Sequence, residues 1–162
     1  MMRQPLNQTQ HAYQQGKSTI SALHKLISKV ENALENKEIA LVAFLDIEGA
    51  FDNASHSTIR QAALRKGIEN ETVDWMMHML SSRAVSAEMG TSEITIKATR
   101  GCPQGGVLSP LMWCLVMDDL LTLLNLLGYE TIGYVDDLAV IVRGKDGSTI
   151  SDRMQNALSL IS

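Results

Sequence analysis

Apolar residues recur every three or four positions through Ile20, Leu23, Leu26, Ile27, Val30, Ala33 and Leu34. That period predicts an amphipathic helix, with Ser18 placed to cap it. The next apolar run, Ala40-Leu41-Val42-Ala43-Phe44-Leu45, is continuous and closes on Asp46, which predicts a strand over 40–46. A loop through Asp52-Asn53 follows. Two amphipathic helices come next, one carrying Ile59, Ala62 and Ala63 and ending near Gly67, the other carrying Val73, Met76, Met77 and Leu80. Residues 85–89 and 93–97 alternate around Gly90-Thr91-Ser92, the pattern of a β-hairpin. A glycine-rich loop, 101–106, leads to Ser109-Pro110, read as N-cap and first residue of a long apolar helix reaching about Gly128. Thr131-Ile132-Gly133 and residues 138–142 flank Tyr134-Val135-Asp136-Asp137, a second tight hairpin with adjacent carboxylates at its tip. Ile150, Met154, Ala157, Leu158 and Ile161 mark a last helix. The order α-β-α-α-ββ-α-ββ-α is an α+β pattern.

Composition narrows the class. The 162 residues suffice for one domain with a real core, and 45% hydrophobic with 20% charged residues is ordinary for a soluble protein. The polar start, Arg3-Gln4-Pro5-Leu6-Asn7-Gln8, is not a signal peptide. The longest apolar stretch, 108–127, carries Asp118 and Asp119 in its middle, so a buried helix is expected there and no membrane span. Cys102 and Cys114 form no CxxC motif and His11, His24, His56 and His78 are scattered, which argues against a zinc site. Unpaired thiols suit a reducing, intracellular setting. A net charge of −4 counts against independent, tight nucleic-acid binding.

Three blocks carry chemistry. Asp46, Asp136 and Asp137 are strand-end acids from distant parts of the chain, and oxygen-rich sites of this kind suit hard divalent cations. Two Mg2+ ions held there would serve an in-line displacement at phosphorus. The plainer alternative makes Asp136-Asp137 turn residues, although a Tyr-x-Asp-Asp tetrad arises by accident in such a chain only at roughly the one-per-cent level. In the second block, 44–52, the chain turns through Gly49-Ala50 after Asp46 and presents Phe51, either a core aromatic or a ring that screens the sugar of a bound nucleotide. Asp52 reads as a cap or turn acid. The third block, 100–110, offers glycines for close backbone approach and Gln104 as donor and acceptor, or is a simple strand-to-helix connection. Gly16-Lys17-Ser18 is not a P-loop, because His11 stands where that motif needs glycine.

Together, in this order and spacing, the blocks resemble the palm of reverse transcriptases. Asp46 with Phe51 is similar to the first palm motif, Gln104-Gly105 with Ser109-Pro110 to the second, and Tyr134-Val135-Asp136-Asp137 to the third. Phe51-Asp52, Gly101-Cys102-Pro103-Gln104-Gly105 and the Leu108-Ser109-Pro110 helix entry most resemble non-LTR retrotransposon enzymes. Residues 11–19 resemble the fingers segment before the palm, with Gln14 where the family often has arginine.

The resemblance implies a palm-like antiparallel sheet packed against helices, with residues 1–39 a partial fingers segment and 40–162 a palm truncated before the thumb. It implies RNA-directed DNA polymerase activity: a primer 3′-hydroxyl attacks the dNTP α-phosphate on an RNA template. Asp46, Asp136 and the Ile47 carbonyl would bind two Mg2+, with Mn2+ as a substitute, and Asp137 would be a weaker third acid. Gly49, Ala50, Phe51, Gln104 and Gly105 would line the dNTP pocket, with Phe51 as sugar gate. Tyr134 and Val135 would lie near the primer terminus. The partners implied are RNA template, DNA primer and dNTP, and the family's logic points to chromosomal DNA in the nucleus. The resemblance also leaves the basic fingers residues, the next strand with its lysine, the primer grip and the thumb outside the chain. Weak or no activity alone is therefore expected. The competing readings are a silent remnant that folds or binds a partner, and a different two-metal phosphotransferase such as a nuclease, which the Gln-Gly loop and aromatic gate disfavour.

Overall fold

The computed structural model describes residues 4–161. Its elements are α1 (Thr19–Glu35), β1 (Ile39–Asp46), α2 (Ala50–Asn53), α3 (His56–Arg65), α4 (Asn70–Ser81), β2 (Ala84–Met89), β3 (Ser92–Lys97), α5 (Ser109–Leu126), β4 (Glu130–Tyr134), β5 (Asp137–Gly144) and α6 (Gly147–Ile161). The fold is α+β, with antiparallel sheets and packed helices, as the pattern of apolar residues predicts. The residues divide into two compact units, residues 6–48 with 117–161 and residues 49–116 with Gln4 and Pro5, so α5 starts in one and ends in the other.

The first unit holds a three-stranded antiparallel sheet in the order β1-β5-β4. Residues 138–142 of the central strand β5 are buried without interruption, because helices cover both of its faces. On one face Ala22 of α1 packs with Ile132, Ala139 and Ile141, joined by Leu26, Val42 and Tyr134. On the other, Gly133 lets Leu121 of α5 close in: a Cβ at Gly133 would stand 3.1 Å from Leu121 Cδ1. Ile150 of α6 presses on Gly144 in the same way, at 2.9 Å from where a Cβ would be. The chain before α1 adds to the sheet. His11 N–H donates to Gly133 O (2.8 Å) and Gly133 N–H to Thr9 O (2.9 Å), a short parallel bridge along β4 that the sequence pattern does not announce.

In the second unit α3 buries Ile59, Ala62 and Ala63, and α4 buries Val73, Met76 and Leu80, positions the 3.6 period selects, while Met77, also expected on that face, is only half-buried. The β2–β3 hairpin is exposed along its whole length. Its loop is Gly90-Thr91 alone, since Ser92 already pairs with Met89.

Several local expectations need correction. The loop expected at Asp52-Asn53 is the one-turn helix α2, closed by Asn53 N–H on Gly49 O at 2.7 Å. Four residues are too few for a period to show. Ser109 is not an N-cap: its hydroxyl donates to Pro103 O at 2.6 Å, and the helix starts at Ser109 itself. Pro110 therefore sits second in the helix, where its missing N–H removes no intrahelical bond. Ser18 does cap α1, in a reciprocal box with Ser21. The apolar stripe of α1 is only partly used, however: Ala22 and Ala33 are buried while Ile20, Leu23, Ile27 and Leu34 are half exposed or more. By length and composition α5 could cross a membrane, but half of it is buried within the protein and its Asp118 accepts a bond from Asn7 N–H.

Candidate active site

The β1–β5 ladder decides where the acids go. Asp46, last in β1, is the register partner of Asp137, first in β5. Ile47 N–H donates to Asp136 O at 3.2 Å, so the 47/136 pair is hydrogen-bonded. In an antiparallel ladder bonded and non-bonded pairs alternate, which makes 46/137 a non-bonded pair, the closer of the two kinds. Its side chains leave the sheet on one side, and both residues are exposed. Like charges directly opposite one another destabilise a sheet, and a cation between them would relieve that. Among the described residues no basic group forms an ion pair with either acid.

Asp136 stands in the two-residue loop between Tyr134 and Asp137. Val135 before it takes φ 55°, and a positive φ at the first loop residue alone defines a type II′ turn, whose twist suits a hairpin. A β-branched residue there is strained. Tyr134 and Val135 are half-buried. Asp136 touches β1 through its carbonyl. Among the described residues no three His, Cys, Asp or Glu side chains converge tightly enough to hold a metal ion. The donors are of the right kind for Mg2+, but as placed they do not form a three-carboxylate centre.

The second and third sequence blocks meet each other within the other unit. Cys102 N–H donates to Phe51 O (2.7 Å) and Gly101 N–H to Ala54 O (2.8 Å), strapping the glycine-rich loop to α2. His56 Nε2 lies 3.2 Å from Gly101 O, and Arg83 donates to the same carbonyl. Gln104 Nε2 donates to both carboxylate oxygens of Asp52, at 3.0 and 3.2 Å. The half-buried Phe51 ring packs on Trp113, centroids 5.9 Å apart. Gly49 takes φ 61° at the start of α2, Ala50 is buried, and Gly105 is exposed with φ 80°. Burial pushes the Cys102 thiol above its ordinary pKa, with Arg83 opposing, so it is a packing group beside Met112 (Sγ to Sδ 3.9 Å). Sequence reasoning missed the Asp52–Gln104 bond, which spans 52 residues and leaves no local signal.

The reverse transcriptase (RNA-dependent DNA polymerase) family profile matches residues 1–162. The chain belongs to the reverse transcriptase family. Among curated relatives, a Retrovirus-related Pol polyprotein from type-1 retrotransposable element R1 of Bradysia coprophila is 31% identical over 93% of this chain and 15% of its own length. A Putative 115 kDa protein in type-1 retrotransposable element R1DM of Drosophila melanogaster is 29% identical over 94% of this chain and 14% of its own. This reverse transcriptase segment thus spans about a seventh of those relatives. Its fold is similar to that of apo telomerase from Candida tropicalis truncated from its C-terminal domain, with TM-score 0.62 and 12% identity over 88% of this chain and 31% of that one. The non-LTR retrotransposon type expected from the motifs agrees with these relatives.

Proposed function

We propose that this chain is a palm portion of a reverse transcriptase, with residues 1–39 as partial fingers, that folds and binds a partner without turning over nucleotides by itself. The observation that carries the reading is the head of the β1–β5 ladder, where Asp46 meets Asp137 and no third metal-capable side chain completes the group among the described residues. Two-cation catalysis of phosphoryl chemistry needs ligands for both ions at once.

RNA-directed DNA polymerisation, in this proposal, belongs to a longer polypeptide of the relatives' kind acting on RNA template, DNA primer and dNTP. There Asp46, Asp136 and the Ile47 carbonyl would hold Mg2+ or Mn2+ and Asp137 would assist. Gly49, Ala50, Phe51, Gln104 and Gly105 would border the dNTP, with Tyr134 and Val135 near the primer end. Chromosomal DNA in the nucleus is the corresponding place of action. The strained Val135 supports this second reading, since a β-branched residue at φ 55° costs on the order of 1–3 kcal/mol and such strain gathers at functional turns.

Extension of a DNA primer on an RNA template, with Mg2+ and dNTPs, tests both. The 162-residue chain is expected to be inert. The same residues inside a full-length polypeptide are expected to extend the primer, and Asp136→Ala to cut that roughly a thousandfold or more. Extension by the short chain would overturn the silent reading.

A further inference from the structure

The β2–β3 hairpin is a sheet of two strands, with no third beside it among the described residues. Two strands alone are only marginally stable in water, and a further strand or a covering element ordinarily completes them. Val85, Ala87, Met89, Ile94 and Ile96 share one face, where Ile94 and Ile96 are 62% and 65% exposed. On the other face Glu88 stands directly opposite Glu93, and Lys97 opposite Ala84. Facing like charges destabilise a strand pair, and among the described residues neither of these acids nor Lys97 forms an ion pair. The ladder also defines which groups each edge offers. Ala98 N–H donates to Arg83 O at 3.0 Å, so 83/98 is a bonded pair and, by alternation, so are 85/96, 87/94 and 89/92. Glu93, Thr95 and Lys97 therefore turn their N–H and C=O groups outward from β3, as Ala84, Ser86 and Glu88 do from β2.

From this register we infer that β3 is a self-association edge, which pairs antiparallel with β3 of a second copy of this chain about a twofold axis at Thr95. Charges on an edge strand usually prevent such pairing. Those of β3 match under the twofold instead. Glu93 and Lys97 lie two residues to either side of Thr95, so each Glu93 faces Lys97 of the second copy. The outward main-chain groups of residues 93, 95 and 97 then bond in register, and the result is a four-stranded sheet. The same pairing sets Ile94 beside Ile96 of the second copy and gives Glu93 a cation to offset Glu88. The β2 edge has no such match, since a twofold at Ser86 would set Ala84 against Glu88. A single strand edge is a small interface, so the dimer is weak. It goes beyond the function proposed above and uses no residue of the aspartate site.

The test follows the 162-residue chain over rising concentration by sedimentation velocity and by residue-resolved amide hydrogen exchange. A monomer–dimer equilibrium is expected, with exchange slowing at Glu93, Thr95 and Lys97 and unchanged at Ala84, Ser86 and Glu88. Glu93→Lys and Lys97→Glu each set like charges opposite one another at both ends of the pairing, and each should weaken the dimer at least about tenfold. Both positions are exposed, and continued protection of the Ile94 and Ile96 amides, already bonded to β2, shows that the hairpin is intact in each variant. An equimolar mixture of the two variants should dimerise as the parent does, because opposite charges face again at both ends. A monomer at every concentration would overturn the inference in favour of some other occupant. So would protection along β2, or a dimer indifferent to both substitutions, as stacked apolar faces would be. A mixture that associates no better than its components would overturn it too.

Discussion

Gly101 takes φ 81°, and a Cβ built on it would stand 2.6 Å from the carbonyl oxygen of Asp52. It therefore answers two demands at once, a left-handed backbone and contact with α2 too close for any side chain. Gly101→Ala is expected to destabilise the protein by about 2–4 kcal/mol, measured by chemical denaturation, with the loss larger than for Gly90→Ala, where φ is 64° but nothing lies within 4 Å. The sequence showed that residues 101–106 form a glycine-rich connection to a helix. It did not show which glycine is irreplaceable, because that depends on a backbone 49 positions away. Ser18 and Ser109 make the same point. Both stand at helix starts, yet Ser18 caps its helix while Ser109, already the first helical residue, braces Pro103, and only the fold around each decides.

At the scale of elements, the patterns that were legible belong to α3, α4 and α6, whose apolar periods match their buried faces, and to the two hairpins, which form where expected although β2 and β3 bury no residue. Helix α1 was located correctly, but its burial was not foreseeable, since an apolar stripe says which face is sticky and not whether anything covers it. Its start is tied down by His11, whose Nδ1 lies 2.9 Å from Ser21 Oγ while its buried Nε2 has no hydrogen-bond partner among the described residues. Burial first, then Lys17 and Lys25, lower the His11 pKa below 6.5, so the folded protein holds the ring neutral. The unfolded chain takes up that proton near pH 6.5. Stability from this source is complete above pH 6.5 and falls as pH drops below it toward the folded value. The urea midpoint is expected to decline between pH 7.5 and 5 by less in His11→Gln than in the parent. An identical decline in both would refute the assignment. At α6, Asp146 caps the first turn through Thr149 N–H (2.8 Å) and two hydroxyls, which hold its carboxyl at about 2. Asp followed three residues on by Thr was a signal open to reading.

At the scale of the whole molecule, the family and the α+β class were both legible, because the three palm blocks are specific as a set and the profile match covers the full chain. What could not be read was how many acids meet. Adjacent aspartates at a hairpin tip look alike in sequence whether or not a third carboxylate joins them, and among the described residues no three such side chains come together. The net charge of −4 counts against tight nucleic-acid binding by this chain alone, since phosphate backbones are held largely by Lys and Arg. The account turns on two facing acids without a third. Its most direct test is a set of double-mutant cycles in metal-free buffer among Asp46→Asn, Asp136→Asn and Asp137→Asn, read as unfolding free energy. Asp46→Asn and Asp137→Asn should each stabilise by about 0.5 kcal/mol and together give no more than either alone, while Asp136→Asn should add independently to both. Strong coupling of Asp136 to each of the other two would contradict the account, because it would mean that all three carboxylates already converge.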